Sequence, residues 1–393
     1  MEEVVIVSGV RTAIGGFGGS FRDYPAYKLG AAAIKAALEK AGIDGKEVDD
    51  VIFGCHYQVG EDGYMARHCA VEAGLPVEVP AYTVNRICGS GLEAINTATR
   101  AIMAGDASIV VAGGVENMSQ LPYILRKARW GYRLGDSILE DVVIQGLNCP
   151  FNHYHMGVTA ENVAERFEVS RQAQDEMALM SHQRAVAAIQ EGRFKEQILP
   201  ITVPQPRGEP KVVDTDEHPR PDTSLEKLAK LPTAFKKDGT VTAGNSSGLN
   251  DAAAAVVLMS RRRAQELGLK PRLFVRDRAA SGVDPAIMGM GPLHAVRKVL
   301  KNSSLKLEDI DLVELNEAFA AQAVAVVRGL GLDWSRVNVN GGAVALGHPI
   351  GASGCILTVK LMHEMERRGS RYGLVTLCIG GGQGIATIFE RAA

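Results

Sequence analysis

Apolar runs of strand length alternate with stretches of helical period along most of the chain. Val4-Val5-Ile6-Val7 opens the series, and the alternation predicts a layered α/β protein. Segments then recur. Leu38 to Ile43, continuing through Glu47-Val48-Asp49-Asp50-Val51-Ile52-Phe53, reads as helix end, polar turn, aspartate and apolar strand. Adding 262 to each number gives Leu300 to Leu305 and Asp309-Ile310-Asp311-Leu312-Val313-Glu314-Leu315, in the same order. The offset also carries Cys88 to Ile350, inside Gly347-His348-Pro349-Ile350-Gly351-Ala352-Ser353-Gly354. Each site is a Gly/Ser-rich turn that opens an apolar-periodic helix, predicted over roughly 92–103 and 356–365. A strand and a glycine cluster follow in both, at 108–114 and 374–381. Four matches in order indicate a duplicated α/β domain. Residues 116–237 do not repeat; they hold a Pro-containing stretch at 199–210 and a helix around 160–190. An insertion of that length in a compact domain is expected to be functional.

Composition narrows the classes. Lys+Arg 43 against Asp+Glu 45 gives a net charge of -2, which does not suit a general nucleic-acid binder. No apolar run approaches the ~20 residues of a membrane span, and the opening strand leaves no room for a signal peptide. The six cysteines form no CxxC pair, so reduced thiols in a cytosol-like compartment are expected. Glycine is in excess, 43 of 393 residues, and proline is not, which asks for tight turns and close backbone approaches rather than linkers.

Those turns hold the candidate chemistry. Cys88, in Asn85-Arg86-Ile87-Cys88-Gly89-Ser90-Gly91, sits just before a helix, where backbone N–H groups and the helix dipole favour thiolate. A buried structural cysteine is the alternative. His348 occupies the equivalent turn of the other half; across a shared cleft the two would form a nucleophile–base pair. Cys378 ends the last core strand before Gly380-Gly381-Gly382, whose N–H groups could face a developing oxyanion. Asn316, ahead of Glu317-Ala318-Phe319-Ala320, reads as a helix N-cap or as the holder of a water. Two groups imitate metal sites: Cys149, His153 and His155, and Cys55, His56, His68 and Cys69. Neither has zinc-type spacing, so no metal is expected. No GxGxxG follows the first strand and no GxxxxGK[ST] occurs, so a nicotinamide or ATP enzyme is not expected.

Together the Cys88, Asn316, His348 and Cys378 motifs closely resemble the thiolase family. Residues 4–16, His155-Met156-Gly157 with Thr159-Ala160-Glu161-Asn162, and residues 241–251 extend the resemblance over essentially the whole chain. It implies two βαβαβαββ halves stacked as a five-layer αβαβα sandwich with an inserted loop domain. The corresponding expected divisions are 1–118, the loop domain at 119–240, the end of the first half at 241–270, and the second half at 271–393. The resemblance also implies roles. Cys88 would carry the acyl group, His348 would take its proton, and Cys378 would move the α-proton. Asn316 with His348 would form one oxyanion hole, and the N–H groups of Cys88 and Gly380 the other.

Coenzyme A and acyl-CoA are implied as substrates, with no cofactor. The implied pantetheine slot comprises Leu147, His155, Met156, Phe235, Ala243, Ser247, Ala318 and Phe319. Arg220 stands where the family has a cation near the phosphates, and Lys227 replaces a small polar residue. The His155-Met156-Gly157 segment and a full covering loop at 119–145 resemble the acetoacetyl-CoA-type, tetrameric branch. Arg126, Lys127, Arg129 and Arg133 in that loop suit either CoA attraction or a solvated or subunit-contact face. The expected activity is acetyl-CoA C-acetyltransfer in the cytoplasm. A broader 3-ketoacyl-CoA thiolase is the runner-up, and a non-catalytic acyl-CoA or lipid binder the alternative from another class. A decarboxylating condensing enzyme is disfavoured by the second cysteine.

Overall fold

The computed structural model describes residues 2–205 and 207–392. The first half runs β1 (Val4–Thr12), α1 (Ala26–Ala41), β2 (Asp50–Gly54), α2 (Met65–Glu72), β3 (Ala81–Val84), α3 (Ser90–Ala104) and β4 (Ile109–Asn117). The insertion follows, with α4 (Met156–Arg166) and α5 (Arg171–Gln190) as its main helices, and β5 (Asn250–Ser260) completes the half. The second half runs β6 (Leu273–Gly282), α6 (Gly291–Ser303), β7 (Leu312–Leu315), α7 (Ala320–Leu330), α8 (Ser353–Arg368), β8 (Tyr372–Ile379) and β9 (Gln383–Arg391).

Strand order exposes the duplication. The first half pairs as β3-β2-β4-β5-β1 and the second as β7-β8-β9-β6. Beyond β7, Val337 pairs with Val313 as a single parallel bridge. That bridge stands where β3 stands beside β2, so both halves share one order and the second has its third strand reduced to one residue. β1 and β6 join the sheets through Val5–Phe274 and Ile6–Leu273.

Each sheet is apolar on both faces, as strands covered by helices on either side must be. α1 and α2 cover the outside of the first sheet, and α6 and α7 the outside of the second. Between the sheets lie α3 and α8, which touch each other while packing on β4 and β8 respectively. The result is the five-layer sandwich. The middle pair starts at the Cys88 and His348 turns, so the duplication itself delivers both turns to one place.

The helix expected around 160–190 is two helices. Phe167 to Ser170 interrupt it: Glu168 adopts a left-handed conformation with φ 52°, and the Ser170 hydroxyl caps α5 at the Ala173 N–H, 3.2 Å away. A buried bidentate pair, Arg11 with Asp216 at 2.7 and 2.9 Å, fastens the insertion to β1. With both charges removed from water, truncating either partner would leave the other uncompensated.

Candidate active site

Cys88 sits in the turn between β3 and α3, preceded by Ile87 at φ 48°. A branched residue held there marks a backbone constrained by its surroundings. Burial outweighs the helix dipole, so the thiolate expected from the turn's position does not form at rest. N–H groups of Cys88 and Gly380 face the sulfur and favour thiolate, but desolvation is larger and raises the thiol pKa to about 11. Cys88 therefore rests as a thiol, which would require a base to act as a nucleophile.

His348 is buried and neutral, its pKa lowered by desolvation to about 4. Its Nδ1 lies 2.6 Å from Ser353 Oγ, which also donates to the Pro349 carbonyl at 2.8 Å. A hydroxyl carries one proton. With that proton on Pro349, Nδ1 keeps its own and Nε2 presents a lone pair. Asn316 Nδ2 stands 3.4 Å from Nε2, as a donor would. The His348 backbone N–H donates to Asn250 Oδ1 at 2.9 Å, fixing the turn from the first half. Asn316 is not a helix N-cap: α7 begins at Ala320, and Phe319 holds the cap position. The neighbouring Glu317 is buried and accepts from Ser181 Oγ, Asn338 Nδ2 and the Val344 N–H at 2.7, 2.7 and 3.2 Å. This pins the Asn316 turn.

Cys378, fully buried at the end of β8, has its thiol pKa pushed up by burial and then by the nearby Cys88. It belongs to one small cluster with Cys149, Met156, Ala318 and Phe319, against which Phe235 packs. His155 caps α4 through Nδ1 (3.0 Å from the Gly157 N–H) and stacks on Phe235 with ring centroids 4.7 Å apart. Phe235 meets Phe319 edge-on at 6.0 Å. Gly157 is what admits that ring, since a Cβ there would lie 2.2 Å from it. A Cβ on Gly380 would lie 3.1 Å from Met156 Cε, so the cluster adjoins the N–H facing Cys88. Leu147 pairs with this wall through the Met156 N–H, 2.8 Å from its carbonyl. Ser247 donates its N–H to the Ala318 carbonyl at 3.0 Å.

Ala243 and Arg220 line a cavity of about 220 Å³ together with Lys227, Leu231, His182 and His218. Lys227 is paired with Asp222 at 2.6 Å. Arg126 pairs with Glu140 at 2.8 Å; Lys127, Arg129 and Arg133 are exposed, and none of the four lines that cavity.

Several residues gained no role from sequence. Ser353 and Glu317 lie inside quoted motifs, where a hydrogen-bonding side chain beside Asn316 or His348 was the available signal. His182, whose Nδ1 accepts the Arg220 N–H at 3.1 Å, gave none. His56, expected only to imitate a metal ligand, is buried, with no geometrically formed hydrogen bond to either ring nitrogen among the described residues, and lies close enough to oppose charge on His348. Cys55 and Cys69 are buried in the core outside β2, and His68 stacks on Tyr27 at 3.6 Å. Among the described residues no group of three or more His, Cys, Asp or Glu is placed to hold a metal.

Two buried cysteines and a neutral histidine, with N–H donors converging on one sulfur, define the equipment of a thiol-dependent acyl-transfer centre built at the junction of two duplicated halves. The chain belongs to the thiolase family: residues 4–262 match the thiolase N-terminal domain and residues 269–391 the thiolase C-terminal domain. It is 55% identical over 392 residues to an acetyl-CoA acetyltransferase of Pseudomonas aeruginosa, covering 100% of both chains. Among solved structures, the acetyl-CoA acetyltransferase of Bacillus anthracis matches with TM-score 0.98 at 48% identity, covering 100% of this chain and 99% of that one. Human mitochondrial 3-ketoacyl-CoA thiolase matches with TM-score 0.97 at 45% identity and the same coverage.

Proposed function

We propose that this protein is an acetyl-CoA C-acetyltransferase, condensing two acetyl-CoA reversibly to acetoacetyl-CoA and CoA by a ping-pong route through an acyl-Cys88 thioester. The observation that carries this is the Cys88 sulfur, faced by the N–H groups of Cys88 and Gly380, with a second buried thiol, Cys378, beside it. Full-length identity to a protein described as an acetyl-CoA acetyltransferase supports the substrate.

In the proposed sequence His348 Nε2 takes the Cys88 proton as sulfur attacks the acetyl carbonyl, and CoA leaves with the proton of Cys378, which becomes the thiolate while His348 keeps the Cys88 proton. The acyl oxygen then rests between the Cys88 and Gly380 N–H groups, donors worth roughly 2.7–4 kcal/mol each in such holes. Cys378 removes an α-proton from the second acetyl-CoA, whose enolate oxygen faces the His348 side chain and a water held by Asn316. The enolate carbon attacks the acyl-Cys88 carbonyl, and the Cys88 sulfur leaves and takes its proton back from His348 Nε2, which restores all three groups. Two thiols allow one to hold the acyl group while the other handles the proton.

The Phe235, His155, Met156 and Phe319 wall, with Leu147, Ala318, Ala243 and Ser247, supports a largely neutral pantetheine slot, and Arg220 suits the phosphate end. Coenzyme A and acyl-CoA are then substrates, and the reaction needs no further cofactor. The same reading makes the protein a homotetramer, a dimer of dimers, working in the cytoplasm on fatty-acid-derived thioesters. β3 ends the sheet as an open edge with Tyr82 exposed, a site for strand pairing between copies. All six cysteines are free thiols, in keeping with a reducing compartment. No helix among the described residues is long and apolar enough to cross a membrane.

Labelled acetyl-CoA tests the chemistry. The wild type takes up acetyl at Cys88, Cys88→Ala takes up none, and Cys378→Ala is acetylated but does not condense. Label on Cys88→Ala would refute the nucleophile, and equal loss of both steps in Cys378→Ala would refute the division of labour. A kcat/KM preference for 3-ketoacyl-CoA of eight carbons or more would replace the acetyl specificity by the broader thiolase activity.

A further inference from the structure

Glu116, next to last in β4, is buried and forms no ion pair among the described residues. Its carboxylate instead gathers donors from three segments. Oε2 accepts the His56 N–H at 3.0 Å and the Gly351 N–H at 2.8 Å. Oε1 accepts the Tyr57 N–H at 3.2 Å, with the Cys55 thiol 3.5 Å away. Gly351 lies three residues after His348 in the second half. His56 and Tyr57 follow β2 in the first, and the His56 carbonyl accepts from Asn85 in the Cys88 turn at 2.9 Å. One carboxylate therefore spans the junction between the turn carrying the base and the loop bracing the turn carrying the nucleophile.

We propose that Glu116 is a positioning residue that holds the His348 turn in register with the Cys88 turn, and that it does so only when ionised. The proposal rests on the acyl-transfer reading above. All three backbone partners are donors, and the Cys55 thiol has one hydrogen for two acceptors, Glu116 Oε1 and the Tyr57 carbonyl at 3.3 Å. Among its hydrogen-bond partners in the described residues a carboxyl proton would find no acceptor but that sulfur, a weak one, and would displace an N–H from one of the two turns. The titratable groups facing the carboxylate are the Cys55 thiol and the Tyr57 phenol from the loop after β2, and Cys88 from the α3 turn. From the His348 turn the Gly351 N–H reaches it. Burial outweighs these donors and raises the Glu116 pKa to about 7.

The folded value lies above the ordinary carboxylate value of 4.5, so the folded state holds the proton more tightly than the unfolded chain. Stability from that proton is full below about pH 4.5 and is lost as pH rises through about 7. Activity should move the opposite way, rising as Glu116 ionises. A merely structural carboxylate would move both together.

The test measures thiolysis of acetoacetyl-CoA against pH for wild type, Glu116→Gln and Cys55→Ala, with acetyl uptake at Cys88 as the control. Glu116→Gln presents an amide N–H₂ to existing N–H donors. Its kcat should fall roughly 10–100-fold, as for outer partners that orient a functional imidazole, with KM for CoA within about 3-fold, the mark of an interaction felt in the transition state. The wild-type acidic limb near pH 7 should be absent from the variant. Cys55→Ala leaves every proposed catalytic group in place and removes one donor, so its acidic limb should move to higher pH. Wild-type kcat with an unchanged limb in Glu116→Gln would overturn the proposal, as would an unmoved limb in Cys55→Ala should the glutamine variant not fold. Failure of the wild type to acetylate Cys88 would instead overturn the acyl-transfer reading.

Discussion

Burial leaves Cys88 and His348 uncharged together, a thiol with pKa about 11 and an imidazole with pKa about 4. In the proposed reaction, charge would separate only when a substrate oxygen is present to take up the developing negative charge, and a resting thiol reacts more slowly with adventitious electrophiles than a thiolate. Such a site depends on which imidazole nitrogen carries the proton, and here a single hydroxyl decides. Ser353 Oγ stands 2.6 Å from Nδ1 and spends its proton on Pro349. In Ser353→Ala the imidazole loses the partner that fixes its tautomer. The expected outcome is a roughly 10–100-fold loss of kcat with KM for CoA unchanged, measured by steady-state thiolysis. An unaltered kcat would mean that Asn316 alone sets the ring.

Strands and helices interlock at the same place through glycine. A Cβ on Gly114 in β4 would lie 2.2 Å from the Gly351 carbonyl oxygen, and those on Gly54 and Gly91 would lie 2.8 and 2.9 Å from it. Three elements of the first half thus close on one peptide of the His348 turn. Gly114→Ala forces that peptide away at a cost of about 1–3 kcal/mol, typical of overpacking; thermal unfolding should register the loss and acetyl uptake should fall with it. Retained melting temperature and uptake would show that the turn can shift freely. This convergence explains what sequence could reveal. Glycine-rich turns and apolar runs are local, so the 262-residue repeat, the layered fold and the cysteine and histidine turns were all legible. The break at Glu168 was not, because no glycine or proline marks it. Nor were the tasks of Glu116 and Asn250, whose partners in the His348 turn lie 235 and 98 residues away. A buried carboxylate in an apolar strand carries no local sign of which loop it will hold.

At the scale of the whole molecule the surface is uneven. Between the short paired segments Tyr123–Ile124 and Glu140–Asp141, the covering loop exposes Trp130 by 86%, Leu134 by 98% and Ile138 by 78%. Exposed apolar side chains grouped this way mark an interaction surface, and the assembly proposed above would place a subunit contact here. The basic residues there do not line the Arg220 cavity. The open edge of β3 belongs to the large sheet and not to this loop, and the dimer of dimers proposed above would use each for a different contact. The paired segments at the loop's base hold its ends together, Tyr123 against Asp141 and Ile124 against Glu140, so residues 126–138 can be replaced by a short Gly/Ser linker without opening the fold. Sedimentation should then give half the wild-type mass, with acetyl uptake at Cys88 retained, because the nucleophile and its donors come from within one chain. An unchanged mass would remove the loop from the assembly.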